Sequence, residues 1–116
     1  MFAETAELVR NASKPFELNA EPGDKVVIVS DTAVAESVWA ALFAAAHEQG
    51  LDPTLALIAP RETHGNDPTA AASEAMQSAD LCVMATSTAI THSEAGAAAQ
   101  EAGVKCIAMD EMTPDI

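Results

Sequence analysis

The chain has no tyrosine, one tryptophan and three phenylalanines among its 116 residues. Its core must therefore come from Ala, Val, Leu, Ile and Met, and Ala-rich helix faces can lie close against a sheet. Positive charge is scarce as well: 5 Lys and Arg face 18 Asp and Glu, a net charge of −13. A surface this acidic repels phosphate backbones and anionic headgroups, which argues against nucleic acid and membrane surfaces as partners. Beyond that, the charge speaks mainly to solubility. No apolar run reaches membrane-spanning length, and Met1-Phe2-Ala3-Glu4 offers neither a basic n-region nor an apolar h-region. The expectation is a cytoplasmic protein. Cysteine is limited to Cys82 and Cys106, each inside an apolar strand pattern and at a spacing that matches no zinc or redox motif. Both are expected to be buried, reduced thiols.

Signature motifs are missing too. There is no GxGxxG after the first strand and no GxxxxGK[ST], so dinucleotide and nucleoside triphosphate binding lose their main support. Ser30 and Ser87 lack the flanking glycines of a nucleophile elbow. HExxH, CxxC and paired histidines at helical spacing are absent, and no metal site is expected within this chain.

What is present is a regular alternation. With hydrophobic residues at 49%, the chain can bury a real core, and its length fits one domain. Residues 3–12 read as a short helix, and Pro22-Gly23 as a turn. Lys25-Val26-Val27-Ile28-Val29-Ser30 is a continuous β-branched run, as in a strand covered on both faces. A helix follows over 32–49. Val34, Val38, Ala41, Leu42 and Ala45 share one face, which Trp39 and Phe43 widen, with Asp31 or Thr32 as cap and Gly50 as stop. Strands are expected at 54–59, 80–85 and 104–109. Between them lie a helix opened by Asp67-Pro68, with Ala72, Ala75, Met76 and Ala79 facing inward, and one opened by a Thr91-x-x-Glu94 capping box and closed by Gly103. The segments Ala46-His47-Glu48-Gln49-Gly50-Leu51 and Ala99-Gln100-Glu101-Ala102-Gly103-Val104 echo one another, each a helix end, a Gly and the start of a strand. Residues 110–116 look like the start of another helix.

This pattern specifies an α/β fold of the Rossmann or flavodoxin-like three-layer kind, with a four-stranded parallel sheet in the order second, first, third, fourth. Ligands of such sheets bind at the carboxyl ends of the strands. Reading past each strand gives Ser30, Asp31 and Thr32; then Arg61, Glu62, Thr63 and His64; then Thr86, Ser87, Thr88 and His92; then Asp110 and Glu111. The capping box puts His92 at the first position of a helix, where backbone N–H groups and the positive dipole end keep an imidazole neutral. His92 is therefore the candidate catalytic residue, with Asp31, His64, Thr86, Ser87 and Thr88 as candidate substrate-binding residues. His47, late in its helix, suits the negative end of the dipole.

Three segments together carry a family likeness. The run Glu21-Pro22-Gly23-Asp24-Lys25-Val26-Val27-Ile28-Val29-Ser30-Asp31-Thr32, the loop Pro60-Arg61-Glu62-Thr63-His64-Gly65, and the stretch from Ala79 to Ser93 resemble the N-terminal domain of the aminopeptidase T-like family. That family holds metallo-aminopeptidases and a ring-cleaving relative, 2,5-dihydroxypyridine 5,6-dioxygenase. The likeness extends to Met109-Asp110-Glu111-Met112-Thr113-Pro114-Asp115-Ile116, although Asp110-Glu111 departs from the family's usual Pro-Gly step. It implies the N-terminal part of a longer two-domain enzyme, with a divalent metal held by a C-terminal domain that this chain lacks. The partners implied are a small-molecule or peptide substrate, the missing domain and a second copy in a homodimer. In the ring-cleaving branch, the histidine of the motif that Thr91-His92-Ser93 matches contacts substrate, so His92 is implied as a substrate contact rather than a metal ligand. On this reading the 116 residues alone are inactive. The alternative is a free-standing small-molecule binding or regulatory domain without catalysis. A downstream reading frame carrying His, Asp and Glu ligands would separate the two.

Overall fold

The computed structural model describes residues 13, 16–60, 67–87 and 93–108. The elements run β1 (Lys25–Asp31), α1 (Glu36–Glu48), β2 (Asp52–Ile58), α2 (Ala70–Ser78), β3 (Leu81–Ala85), α3 (Glu94–Glu101) and β4 (Lys105–Ala108). The four strands form one sheet in the order β2-β1-β3-β4, and every neighbouring pair is parallel. This is the expected fold and the expected strand order. The central strands are the two continuous apolar runs: β1 is buried at every residue after Lys25 and β3 at all of its residues. The edge strands β2 and β4 are only partly covered. Parallel strands closed in by helices on both faces need apolar residues at consecutive positions rather than at alternate ones.

Two cores result, one on each face. Val26, Ile28, Leu81, Val83 and Ala85 pack under the Val38, Ala41, Leu42, Ala45 and Ala46 face of α1, joined by fully buried Phe16 from a helical turn at residues 16–19. Val27, Val29, Cys82 and Met84 point the other way, against Ala72 and Met76 of α2 and Ala95 and Ala99 of α3. Each large side chain taken fully out of water contributes about 1.5–3 kcal/mol before entropy is counted. Small Ala residues on all three helices permit the close approach that the aromatic-poor composition implies.

Several boundaries differ from expectation. β2 begins two residues early, because Asp52 pairs with Lys25 across the β1–β2 ladder. The helix after β1 begins at Glu36, with Ala35 at its N-cap and no side-chain cap. Asp31 and Thr32 are therefore not its caps. Asp67 does not cap α2 either; Thr69 does, its Oγ1 accepting from the Ala72 N–H at 3.2 Å. Phe43 is 39% exposed and lies outside the core face. The stretches 3–12 and 110–116 lie outside the described residues.

The internal echo is structural. At the end of α1, Gly50 N donates to His47 O and Leu51 N to Ala46 O, both at 3.1 Å. At the end of α3, Gly103 N donates to Gln100 O and Val104 N to Ala99 O, both at 3.0 Å. Both are Schellman closures, and Gly50 and Gly103 take φ of +77° and +90°, a region glycine occupies without a Cβ penalty. No helix among the described residues is long and apolar enough to cross a membrane.

Candidate functional site at the carboxyl edge

The buried polar side chains of the described residues are Ser30, Asp31, Thr86 and Ser93. Ser30 and Asp31 end β1, Thr86 follows β3 directly, and Ser93 caps α3. All four therefore lie at one end of the sheet. Buried polar groups cost free energy unless they are hydrogen-bonded, so such a cluster needs a network.

Asp31 is the hub of that network and is 1% exposed. Its Oδ2 accepts from the Ser87 backbone N–H at 2.7 Å and from the Ser87 hydroxyl at 2.8 Å. Its Oδ1 accepts from the Ala33 N–H at 3.0 Å. A single carboxyl group thus ties the turn after β1 to the residue that leaves β3. Beside it, the Ser30 hydroxyl donates to Ala85 O at 2.7 Å and joins the same two strands one residue earlier. Hydrogen bonds to a charged acceptor contribute roughly 1.5–3 kcal/mol each, so this clasp holds the strand ends firmly.

The start of α3 is anchored in a similar way. Ser93 Oγ accepts from the Gly96 N–H at 3.1 Å. Asp67 Oδ1 accepts from the Ala95 N–H at 3.2 Å, bringing in a residue from ahead of α2. The cap is Ser93 and not Thr91, so the Thr91-x-x-Glu94 box does not open this helix, whose first residue is Glu94. The first-turn position on which the neutrality of His92 was argued is therefore taken by Glu94.

Of the candidate site residues, the structure brings Asp31 and Ser87 into direct contact and buries Thr86 beside them. His64, Thr88 and His92 lie outside the described residues. Ser93 and Asp67 were missed as site-building residues. A Ser ahead of Glu94 was a legible cap signal that the competing Thr91 box hid. The bond from Asp67 to Ala95 spans 28 residues and leaves no local trace.

Both thiols fall on the face packed by α2 and α3. Cys82 and Cys106 are register partners on β3 and β4, as their matching strand positions imply. Cys82 is fully buried, whereas Cys106 is half-buried, so the expected burial of both holds for only one. Burial, with Cys106 nearby as a lesser cause, pushes the Cys82 thiol up to about 12, and burial also raises Cys106.

Among the described residues, no group of three or more His, Cys, Asp or Glu side chains is placed to hold a metal ion. The divalent metal implied by the family likeness thus finds no ligand set among these residues.

No protein-family model matches the sequence, and comparison with characterised proteins finds no match. Among solved structures, the chain is similar to 2,5-dihydroxypyridine dioxygenase from Pseudomonas putida KT2440. The fold is shared. The TM-score is 0.80 at 16% sequence identity, and the match covers 96% of this chain and 35% of the dioxygenase chain. This chain therefore corresponds to about a third of that enzyme's length.

Proposed function

We propose that the chain forms the N-terminal, cleft-forming domain of a metal-dependent enzyme of the aminopeptidase T-like kind, either an aminopeptidase or a ring-cleaving dioxygenase relative. On this reading it supplies substrate contacts from its carboxyl edge, and a second domain supplies the metal. The fold shared with the dioxygenase supports the relation. The observation that carries the reading is the gathering of buried polar side chains at the sheet end where such folds bind ligands, clasped by Asp31.

In the sequence, His92 stands directly ahead of Ser93, the cap of α3. The segment 88–92 runs between Ser87, held by Asp31, and Ser93, whose Oγ accepts from the first turn of α3. A histidine that contacts substrate can polarise a carbonyl or hydroxyl there.

The test is His92→Ala in the full-length enzyme, assayed with a peptide substrate and with 2,5-dihydroxypyridine. Turnover should fall on the order of 10²-fold or more, the scale of a positioned polar group, while the melting temperature stays unchanged. Unchanged turnover, or loss only through unfolding, would remove His92 from the site. Metal-dependent turnover by the 116 residues alone would overturn the division of labour between the domains.

A further inference from the structure

The two outermost strands of the sheet are guarded unequally. β4 is four residues long and opens on exposed Lys105; a short, charged outer strand deters further pairing. β2 is seven residues long. After exposed Asp52 its sequence, Pro53-Thr54-Leu55-Ala56-Leu57-Ile58-Ala59-Pro60, carries no charge, in a chain whose net charge is −13. Asp52 N donates to Asp24 O and Ile58 O accepts from Thr32 N, so the even-numbered residues of β2 bond inward to β1. The period of two then turns the N–H and C=O of Leu55 and Leu57 outward, with the C=O of Pro53. Pro53 fits this phase, because its missing N–H falls on the open side. Among the described residues no strand lies beyond β2. We propose that the open side of β2 pairs antiparallel with β2 of a second copy of this chain, across a two-fold axis at Ala56. The inference rests on the strand edge and not on the enzyme reading above.

The side chains beside the open backbone suit that occupant. Leu57 is 43% exposed and falls two residues after Leu55, on the face covered by α1. On α1, Trp39 and Phe43 stand one turn apart on the flank of the core face formed by Val38, Ala41, Leu42 and Ala45. The right-handed crossover from β1 through α1 to β2 turns that flank to the outer side of β2. Phe43 and Leu57, exposed apolar side chains on neighbouring elements, thus border the open strand. Because α1 packs on both β1 and β2, a two-fold axis just outside β2 brings the two α1 helices about 9–10 Å apart, an ordinary distance for packed helices.

Hydrogen bonds and charge select the register. With the axis at Ala56, Leu55 faces Leu57 of the second copy, and every outward N–H and C=O of these residues is paired. The C=O of Pro53 meets the N–H of Ala59. With the axis at Leu55, Leu57 would face Pro53, and its C=O would have no donor. The Ala56 axis also keeps like charges apart. The two Asp52 carboxylates stand about 26 Å from one another, beyond the roughly 8 Å over which charge is felt at physiological salt. Asp52 lies opposite Pro60, which the sequence follows with Arg61, one of the chain's 5 cations.

Sedimentation velocity of the 116-residue chain from about 1 to 100 µM reads the association. The expected result is a dimer whose dissociation constant rises about 10-fold or more in Leu57→Lys, with an unchanged circular dichroism spectrum. That substitution lowers the net repulsion between copies, so the loss reports the edge itself. Leu18→Lys, at a site 83% exposed and away from β2, should leave the dimer as it is. In a Cys106→Ser background, Ala56→Cys should cross-link two copies under mild oxidation, because residues facing across the axis lie about 4.5 Å apart between Cα atoms. Thr54→Cys should not, since its two copies are about 13 Å apart. A monomer at every concentration, or a dimer that Leu57→Lys leaves intact, would overturn the interface. Cross-linking through Thr54→Cys in preference to Ala56→Cys would overturn the axis.

Discussion

The two edges of this sheet face the same problem and solve it differently. Each must hold together strand ends whose backbone groups have run out of ladder partners. At the amino edge, the main chain does most of the work. Gly23 N donates to Gly50 O, Asp52 N to Asp24 O, Asp80 N to Lys25 O and Lys105 N to Asp80 O. Side chains add little there: Asp80 Oδ2 accepts from Lys25 N and Asp24 Oδ2 from Glu21 N, both in exposed settings. Among the described residues of the carboxyl edge, one main-chain bond joins strand ends, Thr32 N to Ile58 O, and side chains supply the other links, buried or partly buried: Asp31 to Ser87, Ser30 to Ala85, Ser93 to Gly96. Backbone closures hold an end shut whatever the side chains are. Side-chain clasps place chemically distinct groups at defined points, which is what a binding edge needs. On the proposed reading, the carboxyl end is the one given over to chemistry.

The comparison breaks if the two acidic residues that reach across strand ends are worth the same. Asp31→Ala should cost about 3 kcal/mol, because a buried acceptor of three hydrogen bonds is lost. Asp80→Ala should cost only about 0.5–1 kcal/mol, because water can replace an exposed acceptor. Urea midpoints with unchanged slope measure both. Equal costs would mean that the carboxyl edge is no more dependent on its side chains than the amino edge.

A second measurement sharpens the point that buried polar groups are accommodated best where partners await them. Asp31 is met by two N–H groups and a hydroxyl, whereas Cys82 sits among aliphatic side chains. Burial raises the folded-state value of Cys82 to about 12, while the unfolded thiol stays near 9.0. Above about pH 9 the unfolded chain gives up a proton that the folded chain keeps, so stability falls as pH rises. The slope from this one group approaches about 1.4 kcal/mol per pH unit until the folded value is reached. Chemical unfolding at pH 8 and pH 10.5 should show the loss, and Cys82→Ala should flatten it. A pH-independent midpoint in the unmodified protein would contradict it. Alkylation should reach Cys106 well before Cys82.

Strand identity, sheet order and most of the helix facing were legible in the sequence, since they rest on patterns several residues long; Phe43 is the exception. The β-branched run at 26–29 could be only a covered strand, and the repeated Ala-x-x-x-Gly-apolar segments marked two helix ends to within two residues. Helix starts were less legible. Asp31, Asp67 and Thr91 were each chemically able to cap, but Asp31 and Asp67 bond to donors elsewhere, and Ser93 rather than Thr91 caps α3. The cap competition is decided by tertiary partners 28 and 56 residues away, and no local window contains those. The same distance explains the site. Asp31 and Ser87 were both expected at the carboxyl edge, but their direct bond depends on the β1–β3 pairing.

The smallest predicted effect probes the amino edge through its backbone. If main-chain closures hold that edge, the residues that matter there are the ones that permit the backbone its turn. Gly50 and Gly103 both sit at positive φ, and neither is crowded: the nearest atom to a Cβ at Gly50 is Pro22 Cβ at 4.0 Å, and Gly103 has nothing within 4 Å. Any cost of substitution is therefore conformational rather than steric. Gly50→Ala and Gly103→Ala should each destabilise by about 1 kcal/mol, the left-handed penalty of an L-residue. Gly103→Asn should cost less, because Asn tolerates that region. The two glycines close different helices onto opposite edge strands, so the double Ala variant should lose the sum of the two costs within about 0.5 kcal/mol. Asn costing as much as Ala at position 103 would show that the closure there is not governed by φ, and the backbone account of the amino edge would lose its basis.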